Sequence, residues 1–314
     1  MIELQRSGLL LLNGVVYVAF GSHGDNGPYH GWVMAYKGST LQMLGAWNAS
    51  PNGQGAAIWQ SGCGLSADSK GNIYVNTANG DFDLALGGQN AGDSILRLTF
   101  NGSAFTVADY FTPFNQQTLA SQDNDLGASG LLLIPGTRLG TAASKTGDIY
   151  LVNLDRLGHY SASDNSQIVQ YLPGAIGNNV TDDNFSTATY FNGSVYYIGQ
   201  NDNIRQFALS NGLLSTLPIE LSANYFGNRG AQAVVSANGT HNGVLWAIEC
   251  STGGGNGILH AYDANDVGNE LYNTAQANGN RDAFGPAVRF AVPTVINGRV
   301  YVGGQNQLAI FGDL

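Results

Sequence analysis

One short pattern recurs along the chain and constrains its fold more than any other feature. A turn pair precedes a strand that alternates apolar and aromatic residues. It reads Asn13-Gly14-Val15-Val16-Tyr17-Val18 near the start and Asn297-Gly298-Arg299-Val300-Tyr301-Val302 near the end. Between them stand Gly71-Asn72-Ile73-Tyr74-Val75, Gly147-Asp148-Ile149-Tyr150-Leu151, Asn192-Gly193-Ser194-Val195-Tyr196 and Asn242-Gly243-Val244-Leu245-Trp246. Asn-Gly supplies the positive φ of a tight hairpin turn, and alternation with period two marks a half-buried strand. The aromatic anchors recur roughly every fifty residues, the length of one four-stranded sheet in a repeat protein. The reading is all-β: a single β-propeller of about six four-stranded blades spanning 1–314.

The blades fall at about 6–50, 59–113, 126–173, 185–219, 229–275 and 289–314. The third is out of phase. Its Tyr150 pattern fits strand three instead of strand two, which explains the wide gap from Tyr74 to Tyr150. The sixth has no residues left for an outer strand. Closure by Met1–Gln5, a missing upstream segment, or self-association through the open blade edge are the alternatives, since an unpaired edge invites pairing. No amphipathic helix is expected anywhere.

Composition narrows the function classes. Charged residues are 11% of the chain, Gly numbers 44, and the net charge is -10. No run of Lys or Arg exists, so electrostatic binding to nucleic acid is excluded as a main role. No stretch approaches the ~18 apolar residues of a membrane span. A polar small molecule or carbohydrate is the expected partner. The Asn-, Ser- and Gly-rich composition suggests a secreted or periplasmic protein, although no signal peptide is visible. Cys63 and Cys250 lie in different repeats and read as small buried apolar residues.

The units Gly31-Trp32-Val33-Met34-Ala35-Tyr36, Gly257-Ile258-Leu259-His260-Ala261-Tyr262-Asp263 and Asn297 to Gly303 resemble the repeats of pyrroloquinoline-quinone-like (PQQ-like) propellers. That resemblance covers nearly the whole chain and implies the fold. It raises pyrroloquinoline quinone, with calcium, as a cofactor. The chain departs from the quinone-dependent alcohol dehydrogenases, which stack the quinone on a disulfide between adjacent cysteines and lock each blade with a tryptophan motif. Here no Cys-Cys pair exists, and the tryptophans are only Trp32, Trp47, Trp59 and Trp246.

Candidate site residues follow from blade geometry. Segments leading into inner strands share a face with the loops joining strands two and three. In blade one that loop holds His23, Asp25 and His30, a set able to ligate a transition metal or to run acid–base chemistry. In blade two it holds Asp81, Asp83 and Asp93, oxygen donors of the kind Ca²⁺ takes. Arg229 and Arg281, in lead-in segments, complete the catalytic candidates. Trp59, Gln60, Asp125, Asp182, Asn201 and Asp282 are the candidate ligand contacts. His260, alternating with apolar neighbours, reads as packed, and His159 carries no signal. No Gly-x-Ser-x-Gly elbow or phosphate-binding Gly-Lys-Ser/Thr loop is present.

Four functions fit these residues. The first is a propeller that binds a carbohydrate or other polar small molecule at the channel mouth. The others are a quinone- or metal-dependent oxidoreductase acting on sugars or alcohols, a metal-assisted polysaccharide hydrolase or lyase, and a protein-interaction scaffold. The sequence leaves open whether the chain is an enzyme.

Overall fold

The computed structural model describes residues 2–177, 184–227, 229–250 and 255–312. The chain divides into two compact units, Met1–Pro173 and Gly174–Leu314, each holding three of the six expected blades.

In the first unit, blade one contains β1 (Glu3–Leu4), β2 (Leu10–Leu12), β3 (Val15–Ser22), β4 (Trp32–Lys37) and β5 (Met43–Asn48). Blade two contains β6 (Ser66–Ala67), β7 (Ile73–Asn76), β8 (Ile95–Phe100) and β9 (Phe105–Thr112). A short helix α1 (Gln116–Ser121) leads to blade three, with β10 (Leu132–Leu133), β11 (Leu139–Ala143) and β12 (Ile149–Asn153). β13 (His159–Tyr160) and β14 (Gln170–Leu172) follow. Each blade is an antiparallel meander, and Tyr150 stands on its third strand, β12, as the spacing requires.

Three features depart from the sequence reading. β1 pairs inside blade one. Glu3 and Leu4 pair with Ser22 and Gly21 of β3. β2 covers only Val15 to Tyr17 of that eight-residue strand, so its far end still had groups to pair. α1 was not foreseen, because six residues are too few to show a helical period. β13 leaves blade three and pairs in parallel with the end of β9, His159 opposite Phe111.

In the second unit, blade four contains β15 (Thr189–Phe191), β16 (Ser194–Ile198), β17 (Ile204–Ser210), β18 (Leu213–Leu214) and β19 (Glu220–Leu221). Its outer strand is split, since β18 and β19 both pair with β17. Blade five contains β20 (Val234–Asn238), β21 (His241–Glu249), β22 (Ile258–Asp263) and β23 (Asp266–Asn273). Blade six contains β24 (Thr294–Ile296), β25 (Arg299–Gly304) and β26 (Gln307–Phe311). It forms a three-stranded sheet.

The core sits between consecutive blades. Tyr17, Val33, Ile73 and Leu96 join blades one and two, and Tyr74, Phe111, Leu131 and Tyr150 join two and three. In the second unit Tyr196, Phe226, Leu245 and Tyr262 join blades four and five, and Ile248, Leu259, Val300 and Val302 join five and six. A middle blade is covered on both faces, which is why all four residues of β7 are buried. Burying each large side chain contributes roughly 1.5–3 kcal/mol.

Candidate functional site

A cleft of about 820 Å³ opens in the first unit. Five segments build it. The loop between β3 and β4 gives Asp25 and Tyr29, the segment after blade one gives Gln54, the loop between β7 and β8 gives Asn79, Asp81, Phe82 and Asp83, and α1 gives Gln116 and Ser121. Tyr160 comes from β13, the strand that blade three lends to blade two.

Close backbone packing brings these segments together. A Cβ on Gly31 would lie 1.9 Å from the Ala56 carbonyl oxygen, and one on Gly80 would lie 2.2 Å from the Ala56 nitrogen. Only glycine permits that approach. Aromatic rings form one side: Phe82 lies 5.2 Å from Tyr160 and 6.4 Å from Tyr110, centroid to centroid. Tyr110 in turn stacks on His159 at 4.7 Å. His159 Nε2 is 3.1 Å from Asp109 Oδ1, so a histidine without a sequence signal fastens the borrowed strand.

The carboxylates are held in different ways. Asp25 Oδ1 accepts a bond from the Tyr29 hydroxyl at 2.9 Å. Burial, then the Asp25 charge, push that hydroxyl above the ordinary tyrosine range. Asp81 Oδ2 accepts from the Gln54 backbone N–H at 2.9 Å. Asp83 accepts from the backbone and side-chain amides of Asn90, at 2.7 and 2.6 Å. Asp93 is fully buried, accepting from the Leu126 N–H at 3.1 Å and, at 3.4 Å, from Gln116 Nε2. Burial pushes its carboxyl well above the usual range, and the nearby Asp125 adds to this. Asp125, also buried, is 2.7 Å from the Lys145 ammonium and accepts from the Asn79 N–H. Burial raises its carboxyl despite that ammonium.

The sequence candidates are therefore dispersed. Asp25, Asp81 and Asp83 line the cleft, with Asp93 and Asp125 behind it. His23 is exposed, and its ring is not part of the lining. His30 turns away, its Nδ1 at 3.0 Å from both the carbonyl oxygen and Oγ of Ser50. Trp59 is buried beneath the Arg6 guanidinium, which lies 4.5 Å above its ring. Gln60 is buried and bonds the Gly64 carbonyl at 2.8 Å.

In the second unit, Arg229 lies 4.4 Å over the Phe185 ring. Asn201 is exposed, its N–H bonding the Gly227 carbonyl at 3.4 Å. Arg281 holds Asp282 through two bonds, 2.7 and 2.8 Å, and the Tyr272 hydroxyl also donates to Asp282. The Arg281 and Tyr272 bonds lower Asp282 to about 2. Asp182 lies outside the described residues. His260 is buried, as its alternation implied, with Nδ1 2.6 Å from Glu270 and Nε2 3.1 Å from Glu249. Cys63 and Cys250 are half-buried thiols, more open than the sequence suggested. Sequence reasoning missed Gln54, Asn79, Phe82, Gln116 and Tyr160. Only the Phe82 loop carried a signal, its acidic content.

The sequence matches no protein-family model and no curated protein. Solved structures do resemble the chain. One is a quinohemoprotein alcohol dehydrogenase from Pseudomonas putida HK5, with TM-score 0.53 and 13% identity over 94% of this chain and 54% of that one. Another is a chain of the mitotic checkpoint complex, with TM-score 0.60 and 11% identity over 99% and 77%. A third is BamB from Moraxella catarrhalis, with TM-score 0.50 and 11% identity over 99% and 87%. The fold is a six-bladed β-propeller. At these identities the likeness reports architecture alone, and the chain spans about half the length of the quinohemoprotein dehydrogenase.

Among the described residues no three His, Cys, Asp or Glu side chains converge as metal ligands. Pyrroloquinoline quinone is a flat tricarboxylate. The cleft of this propeller is lined by three aspartates and by no Lys or Arg, so such an anion would meet like charge there. The cleft residues do not fit it. No helix among the described residues is long and apolar enough to cross a membrane.

Proposed function

We propose that this propeller is a binding protein whose first-unit cleft takes a carbohydrate or a comparably polar small molecule, outside the cytoplasm. One observation carries the reading. The paired rings of Phe82 and Tyr160 share a cleft with the amides and carboxylates of Gln54, Asn79, Gln116, Asp25 and Asp81. A sugar has apolar C–H faces that rest on aromatic rings and hydroxyls that bond amides and carboxylates. The volume of about 820 Å³ suits an oligosaccharide of a few units.

Titration calorimetry against neutral and charged oligosaccharides tests this. Binding by at least one glycan class is expected, weakened about tenfold (~1.4 kcal/mol) in Tyr160→Ala. Absence of binding across the panel, or affinity unchanged in both Tyr160→Ala and Phe82→Ala, would reject it.

A scaffold role through blade six is a second reading. The last strand of its three-stranded sheet, β26, carries exposed Leu308 and Ile310, and an unpaired apolar edge strand favours strand addition.

A further inference from the structure

We propose that the first-unit cleft selects a ligand bearing a protonated amine, which within the carbohydrate class means a sugar with a free amino group. The inference rests on the binding reading above and sharpens its chemistry.

The charge of the lining is uncompensated. Asp25, Asp81 and Asp83 line the cleft without any Lys, Arg or His. Among the described residues none of the three forms an ion pair. The ammonium behind the cleft, Lys145, already sits 3.0 Å from Asp123 and 2.7 Å from Asp125. An entering ligand therefore meets net negative charge, which attracts a cation and repels an anion.

Hydrogen-bond capacity points the same way. Gln116 is only 7% exposed, and its Nε2 is engaged by the Gly80 carbonyl at 3.0 Å. Its Oε1 faces no donor among the described residues and stays available from the cleft it lines. The exposed carboxylates of Asp25 and Asp81 each have a second oxygen that accepts nothing among the described residues, Oδ2 and Oδ1. The local hydroxyl protons are already used, since Tyr29 donates to Asp25 and Tyr160 to the Phe114 carbonyl. Side-chain amides of Gln54 and Gln117 in the lining can still donate, but every charged group there is an acceptor. An ammonium group is the matching partner, with three donors and no acceptor. The faces of Phe82 and Tyr160 add cation–π attraction.

The test uses ligands that differ in charge and little else. The full chain is titrated at pH 6 and low salt with a glucosamine tetramer and with its fully N-acetylated counterpart. The free amine is expected to bind at least tenfold more tightly, and raising the salt should narrow the gap. Asp25→Asn and Asp81→Asn, which keep an acceptor for Tyr29 and Gln54, should each weaken the amine fivefold or more. The acetylated tetramer should lose less, so that the ratio of the two affinities falls in both variants. Circular dichroism melts confirm that both variants fold.

Equal or tighter binding of the acetylated tetramer overturns this inference while leaving the carbohydrate reading intact. An amine preference that both variants retain also overturns it. Spermidine binding with the same aspartate dependence, without either tetramer, supports amine selection and removes the sugar. Failure of all three ligands overturns amine selection, and the carbohydrate reading is then decided by the oligosaccharide panel.

Discussion

Gly31 shows how a single atom governs the cleft. A methyl group there would overlap the Ala56 carbonyl, a backbone atom that cannot swing aside. Gly31→Ala is expected to destabilise the protein by roughly 1–3 kcal/mol, the scale of forced overpacking. Gly303, which has open space around its Cβ position, should tolerate alanine within about 0.5 kcal/mol. Urea melts of the two variants compare them directly. Asp93 makes a second residue-scale case. Its folded carboxyl is raised above the unfolded value of 3.8, chiefly by burial. Between those two values the folded state holds the extra proton, so stability falls as pH rises through that window and the loss persists above it. Asp93→Asn keeps an acceptor for the Leu126 N–H. It is expected to match the parent near pH 3, to exceed it by roughly 1–3 kcal/mol at neutral pH, and to flatten the pH dependence. Denaturant melts from pH 3 to pH 8 read this out, and a variant less stable than the parent at neutral pH would contradict it.

At the scale of the element, β13 decides the aromatic wall. A few residues of blade three cross to the outer edge of blade two and carry Tyr160 into the cleft. Asp109 anchors the crossing. It accepts from the Leu157 N–H at 2.9 Å, pairs with His159 at 3.1 Å, and lies 3.5 Å from Arg97. Asp109→Ala leaves the buried Leu157 N–H without its acceptor, at a cost of about 1–3 kcal/mol. Trypsin should then cut after Arg156 faster than in the parent, and glycan affinity should fall with it. Unchanged cleavage would show that the strand pairing alone holds the crossing.

At the scale of the whole molecule, blade six has three strands among the described residues where each other blade has four or five. β26 reads Gln307-Leu-Ala-Ile-Phe311, without a charge or a proline to guard it. Concentration-dependent self-association is expected, and Ile310→Lys should suppress it. Sedimentation velocity across a hundredfold concentration range checks this. A monomer at every concentration would remove the scaffold reading based on that edge.

The strands were legible because their signals are local. Tyr17, Tyr74, Tyr150 and Tyr196 anchor a repeating pattern of turn and alternation, and all four are buried in the cores between blades. The phase shift of blade three could be read from spacing alone. What each carboxylate does was not legible in this way. Asp25, Asp81, Asp83 and Asp93 share a composition signal, yet one receives a tyrosine hydroxyl, one an amide of a neighbouring segment, one the amides of Asn90 in its own loop, and one is sealed beside Asp125. His23 and His30 sit within eight residues in sequence, but His23 is exposed while the His30 ring is tied to Ser50. The sequence by itself determined the blades, because hairpin turns and period-two alternation act between near neighbours. Only the tertiary structure decided the cleft. Gln54, Phe82, Gln116 and Tyr160 meet through contacts across four segments, and such contacts leave no periodic trace in the chain.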